Sequence, residues 1–235
     1  DDRRLALLCG VGLVAALIAG YLTYSRAFWL AITCGLVVAI AVHSARAAQF
    51  GRRALVALVL VCAIGLALAA IVAAEQGREL TKMEDRWPIY SAVLKKLPEN
   101  PLTGTGFGHE TDKPWYERAL PGMGVFHPHN VVLSYLDQMG PAGLAALALL
   151  FAAPAFAFGA TLRRGPATTA MPALCGLVLL TCVFVKNNLD HFFVKPGLWL
   201  FFAHLGLYLG QIERETRAAA QTASTLRRCA ASLVT

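Results

Sequence analysis

His127-Pro128-His129-Asn130 stands where a polar stretch of 53 residues, 75–127, gives way to a long apolar one containing Gly140. His129 is the candidate base. Near neutral pH an imidazole can accept a proton from a hydroxyl, and a positioned base contributes roughly 10²–10⁴-fold to a rate. Asn130 could orient the ring or bind a ligand hydroxyl. Equally, the segment could be a loop-to-helix boundary with Asn130 as N-cap and both histidines solvated. A metal held by His127 and His129 would need further ligands, and no Asp, Glu or Cys cluster surrounds them, so neither metal nor cofactor is expected.

Arg86 and Arg26 are the candidate anion binders. A guanidinium is a planar fork that suits phosphate oxygens and keeps its charge at any relevant pH. Both could instead be anchors at span ends, with Arg86 paired to Glu84 or Asp85. Gly104-Thr105-Gly106-Phe107-Gly108 follows a helix rather than a strand, which rules out a dinucleotide loop. A backbone nest for an anion and a plain tight turn both remain open, the turn being the simpler. Lys186-Asn187-Asn188-Leu189-Asp190-His191 and Lys195 form a second small polar segment, read as a solvated connection between spans.

These residues must be positioned by hydrocarbon-compatible helices. The chain is 57% apolar and 15% charged, with a mean hydropathy of +0.57, outside a soluble domain's balance. Blocks able to cross roughly 30 Å of hydrocarbon fall at about 5–24, 27–43, 54–74, 142–160, 170–185 and 196–210. The pattern predicts an all-α polytopic membrane protein of about six transmembrane helices with one large external loop. Its expected divisions are 1–74 (three spans), 75–130 (loop), 131–210 (three spans) and 211–235 (polar tail). Within the loop, Asp85 is placed to cap a helix that accepts Pro88 in its first turn, with Trp87, Tyr90, Val93, Leu94 and Leu97 on one face and Lys95 and Lys96 at its C-terminus. Residues 109–126, with two prolines, read as folded loop. Residues 131–139 read as a helix broken or kinked at Gly140-Pro141, with Asp137 facing inward because a carboxylate against hydrocarbon is costly.

The net charge of +7 could suggest nucleic acid, but its placement argues otherwise. Of 21 basic residues, 11 lie in one set of alternating polar segments (Arg3, Arg4, Arg46, Arg52, Arg53, Arg163, Arg164, Arg214, Arg217, Arg227 and Arg228) and three in the other (Arg26, Lys186 and Lys195). That asymmetry puts both ends in the cytoplasm and residues 75–127 outside. The loop itself holds seven basic and eight acidic residues, so it is no cationic patch, and nucleic acid is not an expected partner. Five of six cysteines fall in expected spans and none in the loop. The spans up to residue 185 carry no Asp, Glu, Lys, Arg or His before their outermost positions, which disfavours an ion or polysaccharide transporter and favours an interfacial enzyme.

Arg86-Trp87 with its amphipathic helix, Asn100-Pro101-Leu102-Thr103-Gly104-Thr105-Gly106-Phe107-Gly108, and His129-Asn130 followed after nine residues by Gly140 together resemble the O-antigen ligase family. That family comprises O-antigen ligases, O-antigen polymerases and protein O-oligosaccharyltransferases. Ser25-Arg26 resembles its upstream arginine motif, and the similarity covers roughly residues 20–145. The resemblance implies a metal-independent, inverting glycosyltransferase of GT-C-like type in the bacterial inner membrane, with its site facing the periplasm. Its partners would be an undecaprenyl-pyrophosphate-linked glycan, a lipid A–core oligosaccharide acceptor and membrane lipids. His129 would be catalytic and Arg86 and Arg26 would hold the pyrophosphate, supported by Asn130, His127, Gly104, Gly106 and Gly140. Family members are usually longer, so this chain would be the C-terminal half. Gln138 stands where many members have Glu, and Pro141 follows the glycine.

Overall fold

The computed structural model describes residues 25–46, 52–75, 86–124, 127–189 and 195–232, together with 7, 11, 14, 15 and 17–22. Among these residues every regular element is helical: α1 (Arg26–Arg46), α2 (Arg52–Glu75), α3 (Trp87–Lys96), α4 (His109–Ala119), α5 (Val131–Arg164), α6 (Ala170–Leu189) and α7 (Lys195–Ser232). Short 3-10 turns occupy Leu97–Glu99 and Ala167–Thr169. Helices cover the stretches expected at 27–43, 54–74, 142–160, 170–185 and 196–210. Half of the first, 5–24, lies outside the described residues, as do Asp85 and Glu84. Ala27–Arg46, Val131–Arg164 and Ala167–Leu189 are long and apolar enough to cross a membrane, and Val56–Val72 is a shorter apolar helix. Among the described residues the fold is all-helical, and its long apolar helices are those of a membrane protein.

α6 is the central helix, packed against α1, α5 and α7, while α2 packs on α1. Cys182 on α6 donates to the Ala31 carbonyl on α1 at 3.3 Å, and a Cβ at Gly35 would lie 2.4 Å from the Cys182 sulfur. Only a glycine lets α1 and α6 approach so closely. Lower on α1, Arg46 donates to the Leu162 carbonyl of α5 at 2.7 Å. These contacts orient the bundle. The starts of α1 and α5 and the end of α6 share one end, and Arg46, Arg163 and Arg164 mark the other.

The largest buried cluster joins α5, α6 and α7 through Phe158, Ala173, Leu180, Val183, Phe201 and Leu205. Trp29, Ala69 and Val72 join α1 to α2. α3 and α4 form a separate cluster, Ile89, Val93 and Tyr116, which packs on Leu133 in the first turn of α5.

Three sequence expectations change. The buried face of α3 is Ile89, Val93 and Lys96, whereas Trp87 and Leu94 are exposed. The stripe that packs starts one residue pair later than the aromatic pattern suggested, because α3 turns its face to Leu133 and Asp137 on α5. Residues 109–119 are a helix despite Pro114 inside it. The Lys186-Asn187-Asn188 segment is not a solvated connection but the last turn of α6, with Asn187 fully buried. There the side-chain amides of Asn187 and Asn188 donate to the carbonyls of Val183 and Phe184, four residues back on the same helix. His191 and the side chain of Lys195 lie outside the described residues.

A Cβ at Gly176 would lie 2.3–2.6 Å from the buried Phe158 ring. Gly176→Val is expected to destabilise the α5–α6 packing by about 1–3 kcal/mol through overpacking. Adding Phe158→Leu should return part of that loss, read from the unfolding midpoint of the detergent-solubilised chain.

Candidate functional site

Asn130 is the N-cap of α5. Its Oδ1 accepts from the Leu133 amide at 3.0 Å, and its Nδ2 donates to the Asn188 carbonyl at 3.4 Å. The first contact satisfies an amide that has no intrahelical partner, and the second ties the start of α5 to the end of α6. The Asn130 side chain is therefore engaged as a cap and a cross-helix tie.

The neighbouring His127 meets both the backbone and the ring of His129. The His129 amide donates to Nδ1 of the buried His127 at 3.2 Å, and the two rings lie 4.1 Å apart at 66°. Because Nδ1 of His127 accepts, the His127 proton belongs on Nε2 in this arrangement. His129 has φ +50°, the one non-glycine residue in the left-handed region among the described residues. Histidine visits that region more readily than most side chains, yet it still stores strain, of the kind concentrated at functional sites.

About three turns beyond His129, Gly140 has φ +63° and ψ −157°, a conformation open only to glycine, and α5 kinks there. Pro141 follows and has no amide, so the Asp137 carbonyl loses its intrahelical donor. The Thr105 amide replaces it at 2.9 Å, and the Gly106 amide donates to the Gln138 carbonyl at 3.0 Å. The glycine-rich run is thus neither an anion nest nor a free turn. Two of its amides are spent on the carbonyls that the kink exposes. Gly104 and Gly140 permit the approach: a Cβ on the first would lie 2.4 Å from the Gln138 carbonyl carbon, and on the second 2.4 Å from the Leu102 oxygen. Gln138 Oε1 accepts from the Gly108 amide at 3.4 Å, an acceptor role open to amide and carboxylate alike.

A buried ion cluster holds this junction. Lys96 Nζ donates to Asp112 Oδ1 at 2.8 Å and to Asp137 Oδ2 at 3.0 Å, and all three side chains are almost fully buried. The Thr105 hydroxyl donates to Asp112 at 2.7 Å. The ammonium also lies 4.7 Å from the Trp115 ring centre and 5.6 Å from that of Tyr116, within cation–π range. Burial, then the Asp137 and Asp112 carboxylates, push the Tyr116 phenol well above its ordinary range, so it stays protonated. Its hydroxyl and Asp137 Oδ1 are buried and make no well-aligned hydrogen bond among the described residues.

The expected site residues fall into two groups. His127, His129 and Asn130 meet at the start of α5, whereas Gly104, Gly106 and Gly140 meet at the kink. Ser25 Oγ accepts from the Phe28 amide at 3.3 Å, so it caps α1 and puts Arg26 in its first turn, at the same end of the bundle as Asn188. The Arg26 side chain lies outside the described residues. Lys96 meets Asp137 and the α3 cluster meets Leu133, so α3 runs back along α5 and carries Arg86, its half-buried N-cap, toward the His129 end. Among the described residues no hydrogen bond or ion pair joins Arg86 to His129, and no three His, Cys, Asp or Glu side chains gather as metal ligands.

Sequence reasoning missed Lys96, Asp112 and Tyr116. The signal was present in part: Asp137 was expected to face inward, a buried carboxylate needs a cation, and Lys96 shares a helical stripe with Ile89 and Val93.

The fold and this junction define a polytopic membrane protein with its polar machinery at one end of the helices. A family model described as O-antigen ligase matches residues 11–148, more than half of the 235 residues, and the chain belongs to that family. It is a family of glycosyl-transferring enzymes acting on lipid-linked glycans. No curated protein and no solved structure matches the chain.

Gly140→Ala is expected to cost about 1–3 kcal/mol in backbone strain and to release residues 97–108 to limited proteolysis. Lys96→Met leaves two buried carboxylates without their cation and should cost about 3–5 kcal/mol in thermal or denaturant unfolding. The triple change Lys96→Met, Asp112→Asn, Asp137→Asn should recover a substantial part of that loss.

Proposed function

We propose that this protein is an O-antigen ligase, moving a glycan from undecaprenyl pyrophosphate to the lipid A–core oligosaccharide at the periplasmic face of the bacterial inner membrane. The observation that carries the reading is His129, held in a left-handed conformation at the start of α5 with its backbone fixed by His127. The helix starts bearing Arg26 and Arg86 are directed to the same end. The basic residues Arg46, Arg163 and Arg164 mark the opposite end, the cytoplasmic one under the positive-inside rule.

In this reading His129 takes the proton from the acceptor hydroxyl as that oxygen attacks the anomeric carbon of the donor glycan. The bond from that carbon to the pyrophosphate oxygen breaks, and its electron pair leaves with the pyrophosphate. A single displacement inverts the anomeric configuration. Pyrophosphate is already a good leaving group, so the remaining task is to neutralise its charge. Fixed guanidinium donors do this without a metal, and Arg86 and Arg26 fill that role. Asn130 and His127 keep the base in place. Gly104, Gly106 and Gly140 keep the loop on α5.

The test is transfer by the full-length protein in liposomes, with purified undecaprenyl-pyrophosphate glycan and lipid A–core. His129→Ala is expected to lose roughly 10²–10⁴-fold in turnover while keeping its melting temperature. Arg86→Lys keeps the charge but loses the planar fork, and should lose most activity; near wild-type turnover would remove that role. EDTA should change nothing. Lengthening of the lipid-linked glycan without transfer to lipid A–core would make the protein an O-antigen polymerase, and transfer to protein an O-oligosaccharyltransferase.

A further inference from the structure

We propose that the glycine-rich turn is itself a membrane contact, with Leu102 and Phe107 inserted into the headgroup–acyl boundary of the bilayer beside α5. Leu102 is 77% exposed and Phe107 69%, the two most exposed large apolar side chains in the described part of the loop. Their height on α5 is fixed. The Leu102 carbonyl lies against Gly140, and the amides of Thr105 and Gly106 bond to the carbonyls of Asp137 and Gln138. The Phe107 ring also meets Tyr135 of α5 edge-on, with centres 6.2 Å apart.

The same residues of α5 mark where it enters hydrocarbon. Asp137 and Gln138 precede the kink, Arg163 and Arg164 close the helix, and residues 141–160 between them carry no ionisable side chain. As helix that stretch is about 30 Å long, the thickness of a bilayer's hydrocarbon. The boundary therefore falls at Gly140-Pro141, level with Leu102. The exposed residues that follow on α5, Pro141, Ala142, Ala145 and Leu149, are all apolar and continue the surface downward. The outward face of α4 is different, with Lys113, Glu117 and Arg118 exposed. One side of the loop is built for water, and the turn is built for lipid. A partly immersed apolar turn of this kind anchors a peripheral segment at a bilayer surface. The proposal rests on α5 crossing the membrane and is independent of the reaction assigned above.

The test places an environment-sensitive fluorescent amino acid, by stop-codon suppression, at position 102, 107 or 117 of the full-length protein in phosphatidylethanolamine–phosphatidylglycerol nanodiscs. At 102 and 107 the emission should shift to the blue and fall by about half or more when the lipids are brominated near the carbonyl, with little quenching by aqueous iodide. At 117 iodide should quench and brominated lipid should not. Hydroxyl-radical footprinting of the unlabelled protein in the same nanodiscs gives a readout without substitution: Leu102 and Phe107 should be modified several-fold less than their exposure predicts. Iodide quenching at 102 and 107 equal to that at 117 would overturn the proposal. So would shielding from both quenchers, which would mean that another protein segment or a second copy covers the turn.

Discussion

A lysine ammonium removed from water is stable only where its charge is met, and Lys96 meets two carboxylates from two different helices. Asp112 belongs to α4 and Asp137 to α5, so one side chain on α3 joins the three elements that build the site. Two carboxylates against one ammonium leave the formal charge one negative, and the protonated Tyr116 phenol lies beside them. Such a cluster adds little net stability over a well-packed apolar core, since desolvation offsets most of the attraction. What it adds is specificity. An apolar contact would let α3 and α4 slide along α5, whereas a buried charge tolerates only the register in which it is paired.

The kink depends on the same register. A helix carrying Gly140-Pro141 exposes carbonyls two turns in, and those carbonyls need donors. The Lys96 cluster brings the turn at 102–108 to that point, where Thr105 and Gly106 supply them. With the loop fixed at the kink, α3 can run back toward the start of α5, where His129 stands and where Asn130 ties that start to α6. The kink attaches the loop, and the histidine end lies about three turns away from that attachment.

Much of this was legible in the sequence because it rests on local rules. Asn130 as cap, Gly140-Pro141 as kink and Asp137 as an inward residue each follow from what a single side chain or dihedral permits. The apolar stretches marked the helices for the same reason. What was not legible depended on pairings across the chain. Lys96 and Asp112 are separated by a glycine-rich turn whose path no local rule predicts, so Lys96 read as a helix-dipole partner. Pro114 and a dense set of charges hid α4, which is stabilised by burying Tyr116 and Asp112 rather than by propensity. The use of the glycine run depends on the same kind of pairing, since its amides stand opposite the carbonyls of Asp137 and Gln138.

The central claim is that the Lys96 cluster registers the loop on α5 and thereby holds the histidine end. Hydrogen exchange read by mass spectrometry tests it most directly, comparing the full-length protein with its Lys96→Met variant in nanodiscs. The account predicts that amides at 104–106 lose protection in the variant, and that the loss extends to 129–134 while 142–160 stays protected. Unchanged exchange at 104–106, or a loss confined to α3, would contradict it.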